Sequence, residues 1–288
     1  MTVVLASSGT IQLELDVVVD PDPATLPPRV QITVTGVPST TTFSLVRLCE
    51  GEAWPVPGYI ARTFSDSDVT VDWMPPLNRP ITYTLTGGGV TITATVIVGS
   101  ATAILQDPIQ PDQFIPVFQG GAGTGGLTLA GTALKEATYP NQATRIQVAG
   151  SPYPVVMGAQ QQAASGVVMD VYANDVLSSD RFKRIRSGTP VLVFRPVGPT
   201  PILPAVSYLV AQTKEAPLTR HLPAGVRTRW FITGDLVAAV KQAAISGYVT
   251  NDQVQQLLAG VTNDQVQAKY AALTNLDVQK NPLIYATL

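Results

Sequence analysis

The sequence predicts a mainly β protein. The expected order is an N-terminal antiparallel sandwich of the fibronectin III or immunoglobulin-like kind, a second small β-barrel or sandwich with one helix, and a short helical C-terminal segment. Three observations carry this. From Met1 to about Ile104, apolar and polar residues alternate in short runs, the period of a half-buried strand. Proline and glycine punctuate those runs at the spacing of an all-β domain. Helical patterning is confined to residues near 179–187 and to the last fifty residues.

A chain of 288 residues sets a prior of about two domains. The divisions expected are a sandwich over 1–105, a Pro/Gly-rich linker or assembly loop over 106–150, a second β-rich domain over 151–238 and a helical docking segment over 239–288. Ile11-Gln-Leu-Glu-Leu-Asp-Val-Val-Val alternates and stops at Asp20-Pro-Asp-Pro; Arg29-Val-Gln-Ile-Thr-Val-Thr-Gly and Phe43-Ser-Leu-Val-Arg-Leu do the same. Val69-Thr-Val-Asp-Trp ends at Pro75-Pro76. No charge occurs between Arg79 and Asp107, yet Thr alternates with apolar residues there and Gly87-Gly-Gly divides the stretch. That pattern is a β-hairpin rather than a membrane span. Trp73 and Tyr83 are placed as core and corner residues, the Tyr hydroxyl bonding back to the backbone as in a tyrosine corner.

In the second domain Val155-Val-Met, Gly166-Val-Val-Met-Asp-Val-Tyr, Pro190-Val-Leu-Val-Phe-Arg-Pro, Ala205-Val-Ser-Tyr-Leu-Val-Ala and Val226-Arg-Thr-Arg-Trp-Phe-Ile-Thr read as strands. Between them Ser178 to Gly188 reads as a helix: Ser at the N-cap, Asp180 in the first turn, basic residues in the last turn and Gly188 past the end. The C-terminal segment repeats Val249-Thr-Asn-Asp-Gln-Val-Gln as Val261-Thr-Asn-Asp-Gln-Val-Gln. Each copy is a capping box with a hydrophobic staple, and Gly260 separates two short helices. Helices this short need a docking surface; Val254, Leu257, Val266 and Tyr270 are the contact residues expected.

Composition narrows the function. Lys plus Arg is 18 and Asp plus Glu is 20, a balance that argues against nucleic acid as partner. Charged residues are 13%, about half the usual share, so the surface must be polar but uncharged or hidden against partners. One cysteine excludes an intrachain disulfide and a multi-Cys zinc site, and one histidine leaves any His-dependent catalysis hanging on His221. The N-terminus lacks the basic and apolar regions of a secretory signal.

Few residues gather into a reactive pattern. Gly121, Gly123 and Gly126 fit G-x-G-x-x-G, but the continuation alternates like a strand where a dinucleotide site needs a helix N-terminus. The pairs Asp20/Asp22 and Asp66/Asp68 lack further oxygen ligands nearby for calcium. Arg181, Lys183, Arg184 and Arg186 complement a helix C-terminus, with cross-subunit carboxylates as a further expected partner. Cys49 is expected to be a small buried hydrophobe. Trp54 and Tyr59, set among Pro55, Pro57 and Gly58, read as an exposed aromatic loop that either binds a sugar or partner protein or packs over the sandwich end. No cofactor, metal or catalytic residue is expected.

Three segments together resemble a known family. Val71-Asp-Trp-Met-Pro-Pro-Leu-Asn-Arg-Pro-Ile-Thr-Tyr is similar to a stretch of the minor tail proteins of long-tailed actinobacterial phages. Leu105-Gln-Asp-Pro-Ile-Gln-Pro resembles the junction that follows the sandwich in that family. Gly166-Val-Val-Met-Asp-Val and then Arg186-Ser-Gly-Thr-Pro-Val-Leu-Val-Phe-Arg-Pro resemble its second domain. The set covers roughly residues 29–237. The resemblance implies a structural virion protein of the tail tip, of distal-tail or baseplate type. Such a protein forms a six-fold or three-fold ring or adaptor that contacts the tail tube, a hub or receptor-binding proteins. A carbohydrate-binding adhesin using Trp54 and Tyr59, with a host-surface glycan as ligand, is the alternative.

Overall fold

A computed structural model describes residues 2–20, 25–120, 125–131, 133–140, 143–146, 155–158, 163–200, 202–218 and 227–239. The protein is mainly β, as the alternation requires, and its described residues divide into two compact units. One is built on Met1–Ser100, the other on Ala101–Pro108 and Gln113–Val240.

The first unit comprises β1 (Thr2–Ser8), β2 (Ile11–Val18), β3 (Arg29–Cys49), β4 (Glu52–Pro55), β5 (Arg62–Asp72), β6 (Pro80–Gly87) and β7 (Val90–Ile97). All pair antiparallel, along the path β1-β2-β3-β6-β7, with β4 and β5 also on β3. The two runs read separately at Arg29 and Phe43 are one 21-residue strand. Its first half pairs with β2 and β5, and its second half with β6 and β4. Register shifts against β5 at Val34/Val37 and Val37/Thr41 bend it. Gly36 sits at the first of them with φ +73°, where an added Cβ would lie 2.0 Å from the Thr10 carbonyl oxygen. Only glycine fits there. Because the strand bends, β1 and β7, at opposite ends of the path, come to lie against each other. Leu13, Leu15, Ile32, Leu45, Ile81 and Leu85 fill the space between the two halves.

The charge-free hairpin forms as read. β6 and β7 pair from Pro80↔Ile97 to Gly87↔Val90 around Gly88 and Gly89, both at positive φ as a two-residue turn demands. Trp73 is core, but the corner differs from expectation. The Tyr83 hydroxyl donates to the Asp72 carboxylate (2.7 Å). The corner is made by Asn78, whose side chain donates to Ser100 O (2.7 Å) and accepts from Ser100 N (2.8 Å). Asn tolerates the left-handed φ of +55° found there.

The second unit is a closed barrel. Its strands are β8 (Ala103–Gln106), β9 (Phe114–Phe118), β10 (Leu127–Leu129), β13 (Val167–Ala173), β14 (Val191–Arg195), β15 (Ser207–Pro217) and β16 (Thr228–Val237). They follow the order β10-β13-β16-β15-β14-β8-β9. A parallel β9–β10 pair closes the ring. Strands β11 (Ala143–Ile146) and β12 (Val155–Gly158) form a separate two-stranded ribbon. Residues read as the end of the sandwich (103–105) and as linker (114–118, 127–129) are therefore barrel strands. Glycine and proline around them mask strands that are only 3–5 residues long.

The helix α1 (Val176–Gly188) starts before the expected Ser178 cap. Asp175 is the cap, its carboxylate accepting from Ser178 N (2.6 Å) and Ser178 Oγ (2.8 Å). Phe182 and Ile185 point into the barrel, Phe182 meeting the Trp230 ring edge-on at 5.1 Å.

The sandwich core holds a buried ion pair, Arg47 with Asp72, that joins β3 to the end of β5. Removing one partner strands a buried charge, whereas replacing both with apolar residues of similar size does not. We expect Asp72→Ala to lose about 3–5 kcal/mol in urea unfolding. The double change Arg47→Met with Asp72→Leu should recover most of that loss.

Candidate functional site

Eight charged side chains among the described residues are buried, and several of them brace the interior. Arg47 and Asp72 are fully buried, and Met74 N donates to the same carboxylate (3.1 Å). Arg79 is buried against Glu50, and Arg62 forms an ion pair with Asp68 in which Nη2 donates to Oδ1 at 2.8 Å. In the barrel, Arg195 Nη1 donates to Gln106 Oε1 at 2.9 Å with both side chains fully buried. Arg229 donates to Asp170 at 2.5 Å. These are bracing interactions. Arg47–Asp72, Arg195–Gln106 and Arg229–Asp170 join strands, whereas Arg62–Asp68 lies within β5, and none of these pairs sets a nucleophile beside a base.

The aromatic pair expected on an exposed loop is inside. Trp54 lies on β4, 8% exposed, because its register partner is the inward-facing Arg47, whose guanidinium sits 5.9 Å from the ring centre. Tyr59 is 0% exposed and packs edge-on against Phe64 at 6.0 Å, its backbone bonded to Leu45. Neither ring offers a face to a sugar, so the adhesin alternative loses the platform it rested on. Burial raises the Tyr59 phenol well above its ordinary value, and the Asp68 charge adds to the effect. Cys49 is buried and free, as read, and burial raises its thiol too.

The basic residues of α1 are largely held by their own chain. Arg181 lies 4.6 Å over the Phe114 ring. Lys183 pairs with Glu215 at 2.9 Å, and Arg186 donates to Thr213 at 3.1 Å while lying 5.7 Å from the Trp230 ring. Arg184 is exposed. Lys183 thus finds one acid, Glu215, within its own chain. Sequence reading passed over Arg227 and Arg229, although their spacing of two puts both on one side of an extended chain. Arg227 stacks on Tyr172 at 4.8 Å and Arg229 on Phe231 at 4.1 Å. Beside them Gln212, Thr213, Lys214, Phe231 and Thr233 line an open depression of about 350 Å³. It has one cation and two hydroxyls but no acid–base pair, so it can hold a polar group without transforming it.

The other surface feature is an absence of charge. The inward side of β6 and β7 is Ile81, Tyr83, Leu85, Ile92, Ala94 and Val96. The outward side pairs Thr82 with Thr95, Thr84 with Thr93 and Thr86 with Thr91. Val46 and Leu48 of β3 continue the first two of these rows. Leu48 is 45% exposed and Ile97 57%.

Gly126 leads directly into the strand β10, not a helix, in keeping with the reading against a dinucleotide site; Gly121 and Gly123 lie outside the described residues. So do Asp22, His221 and the repeat with Val254, Leu257, Val266 and Tyr270. Among the described residues no group of three or more His, Cys, Asp or Glu could hold a metal, and no helix is long and apolar enough to cross a membrane.

The Tyr59 shift fixes a pH dependence. The unfolded chain gives up this proton near the ordinary value of 10.0 while the folded chain keeps it. The stabilising contribution is therefore complete below that pH and falls as pH rises above it. Urea midpoints should decline above about pH 10, and Tyr59→Phe should flatten that decline while changing stability at pH 7 by less than about 1 kcal/mol. No protein-family model, curated protein or solved structure matches this chain.

Proposed function

We propose that the chain is a structural component of a phage tail tip, of the minor tail, distal-tail or baseplate type. It would work by assembling, as a symmetric ring or adaptor of identical copies, between the tail tube and hub or receptor-binding proteins in the virion. The observation that carries this reading is where the family-like residues fall. Asp72 and Tyr83 belong to the buried network of the first unit, Asn78 makes its corner, and Arg79 pairs with Glu50. Gln106 and Arg195, from the junction and the strand that ends in Phe194-Arg195-Pro196, bond to each other in the barrel core. Residues that carry the resemblance thus build shape, which is what the family's role requires.

The charge distribution supports the same reading. Ionic side chains brace the interior while a wide outward face has none, and contact surfaces are depleted in charge at their centres. An enzyme would need titratable groups gathered in a cleft; the depression beside Phe231 does not supply them.

Immunogold electron microscopy of virions from the phage encoding this chain tests the proposal. Label at the distal end of the tail is the expected result, together with loss of infectivity when the coding sequence is deleted. Purified virions that lack the polypeptide would refute it.

A further inference from the structure

The outward face of β3, β6 and β7 is an unusual surface for an antiparallel sheet. A solvated sheet face normally carries charged residues among its polar ones. Here β6 and β7 have no charged side chain from Pro80 to Ile97, and the face is Thr on Thr with Leu48 and Ile97 exposed and Val46 half-buried beside them. Charged side chains on that face would disfavour association, and β6 and β7 present none.

From this we infer that the face docks a second copy of the same chain, threonine face against threonine face. Such a contact is isologous and joins two copies about a two-fold axis, so it goes beyond the ring proposed above, whose neighbours meet through unlike faces. The choice of partner follows from chemistry. A charged partner surface would lose its hydration against this face and gain no counter-charge in return. The partner patch must therefore be equally free of charge, and this face meets that condition itself. Threonine hydroxyls donate and accept alike, so a threonine surface is complementary to its own copy. The chain already shows such pairs, Thr82 with Thr95 at 3.0 Å and Thr42 with Thr63 at 2.8 Å. The area is adequate. Three strands of eight residues present roughly 400 Å² in projection, and side-chain relief brings a stacked pair to about 1,000 Å², where specific interfaces begin. A contact of that size is weak alone.

The test is sedimentation equilibrium of the full chain over about 1–100 μM, using wild type, Thr93→Lys, Thr93→Glu and an equimolar mixture of the two variants. Thr93 is exposed and lies in the middle row of the face, beside Thr84, so either charge leaves the fold intact, which circular dichroism and the melting temperature verify. Wild type should self-associate, each variant should weaken association about tenfold or more, and the mixture should regain it, because Lys then meets Glu across the interface. A wild-type chain that stays monomeric overturns the inference and assigns the face to an unlike partner. Variants that associate like wild type overturn it as well, and so does a mixture no better than its components. Label at the tail tip with a monomeric wild type would remove this contact and leave the tail reading standing. Self-association without tail label would do the reverse.

Discussion

The buried pair of Arg47 and Asp72 is the constraint on which the first unit depends. Around Arg47 the strand reads Val46-Arg47-Leu48-Cys49, apolar on both faces, so hydrophobic alternation alone specifies its register poorly. A slip of one residue would put Val46 or Leu48 inside and the guanidinium outside, with Asp72 left alone in the core. That alternative is costly because a buried carboxylate without its partner loses hydration and regains nothing. The pair therefore fixes which side of β3 is the core. The Tyr83 hydroxyl, bonded to the same carboxylate, ties β6 to the same choice.

The outward face follows from that choice. With Arg47, Tyr83 and Trp54 turned inward, what remains outside on β3 and β6 is Val46, Leu48 and threonine. The barrel repeats the economy with Gln106–Arg195 inside and Asp170–Arg229 on β13 and β16. The buried charges brace strands, and the outward face of β6 and β7 carries no charge.

How much of this the sequence revealed depends on the element. The charge-free hairpin was legible because alternation and the glycine turn agree. Most strands of the barrel were legible from β-branched runs, and α1 from its basic C-terminal turn and its Phe182/Ile185 stripe. The single strand β3 was not, because Gly36-Val37-Pro38 looks like a break; the strand passes through it by register shifts that only the pairing partner reveals. Trp54 and Tyr59 were misplaced because proline and glycine around them suggest an exposed loop. Their burial comes from the register of β4 on Arg47, a long-range fact. Closure of the barrel through β8, β9 and β10 was hidden for the same reason, since a parallel β9–β10 pair leaves no local pattern.

Amide hydrogen exchange along β3 tests the central claim most directly. If the buried pair locks both halves into one sheet, the core amides around Ile32–Val34 and Leu45–Arg47 should exchange with one common opening free energy. That value should match global unfolding of the unit and fall together in Arg47→Met. Halves that open with clearly different free energies, or a substitution felt only by the second half, would contradict it.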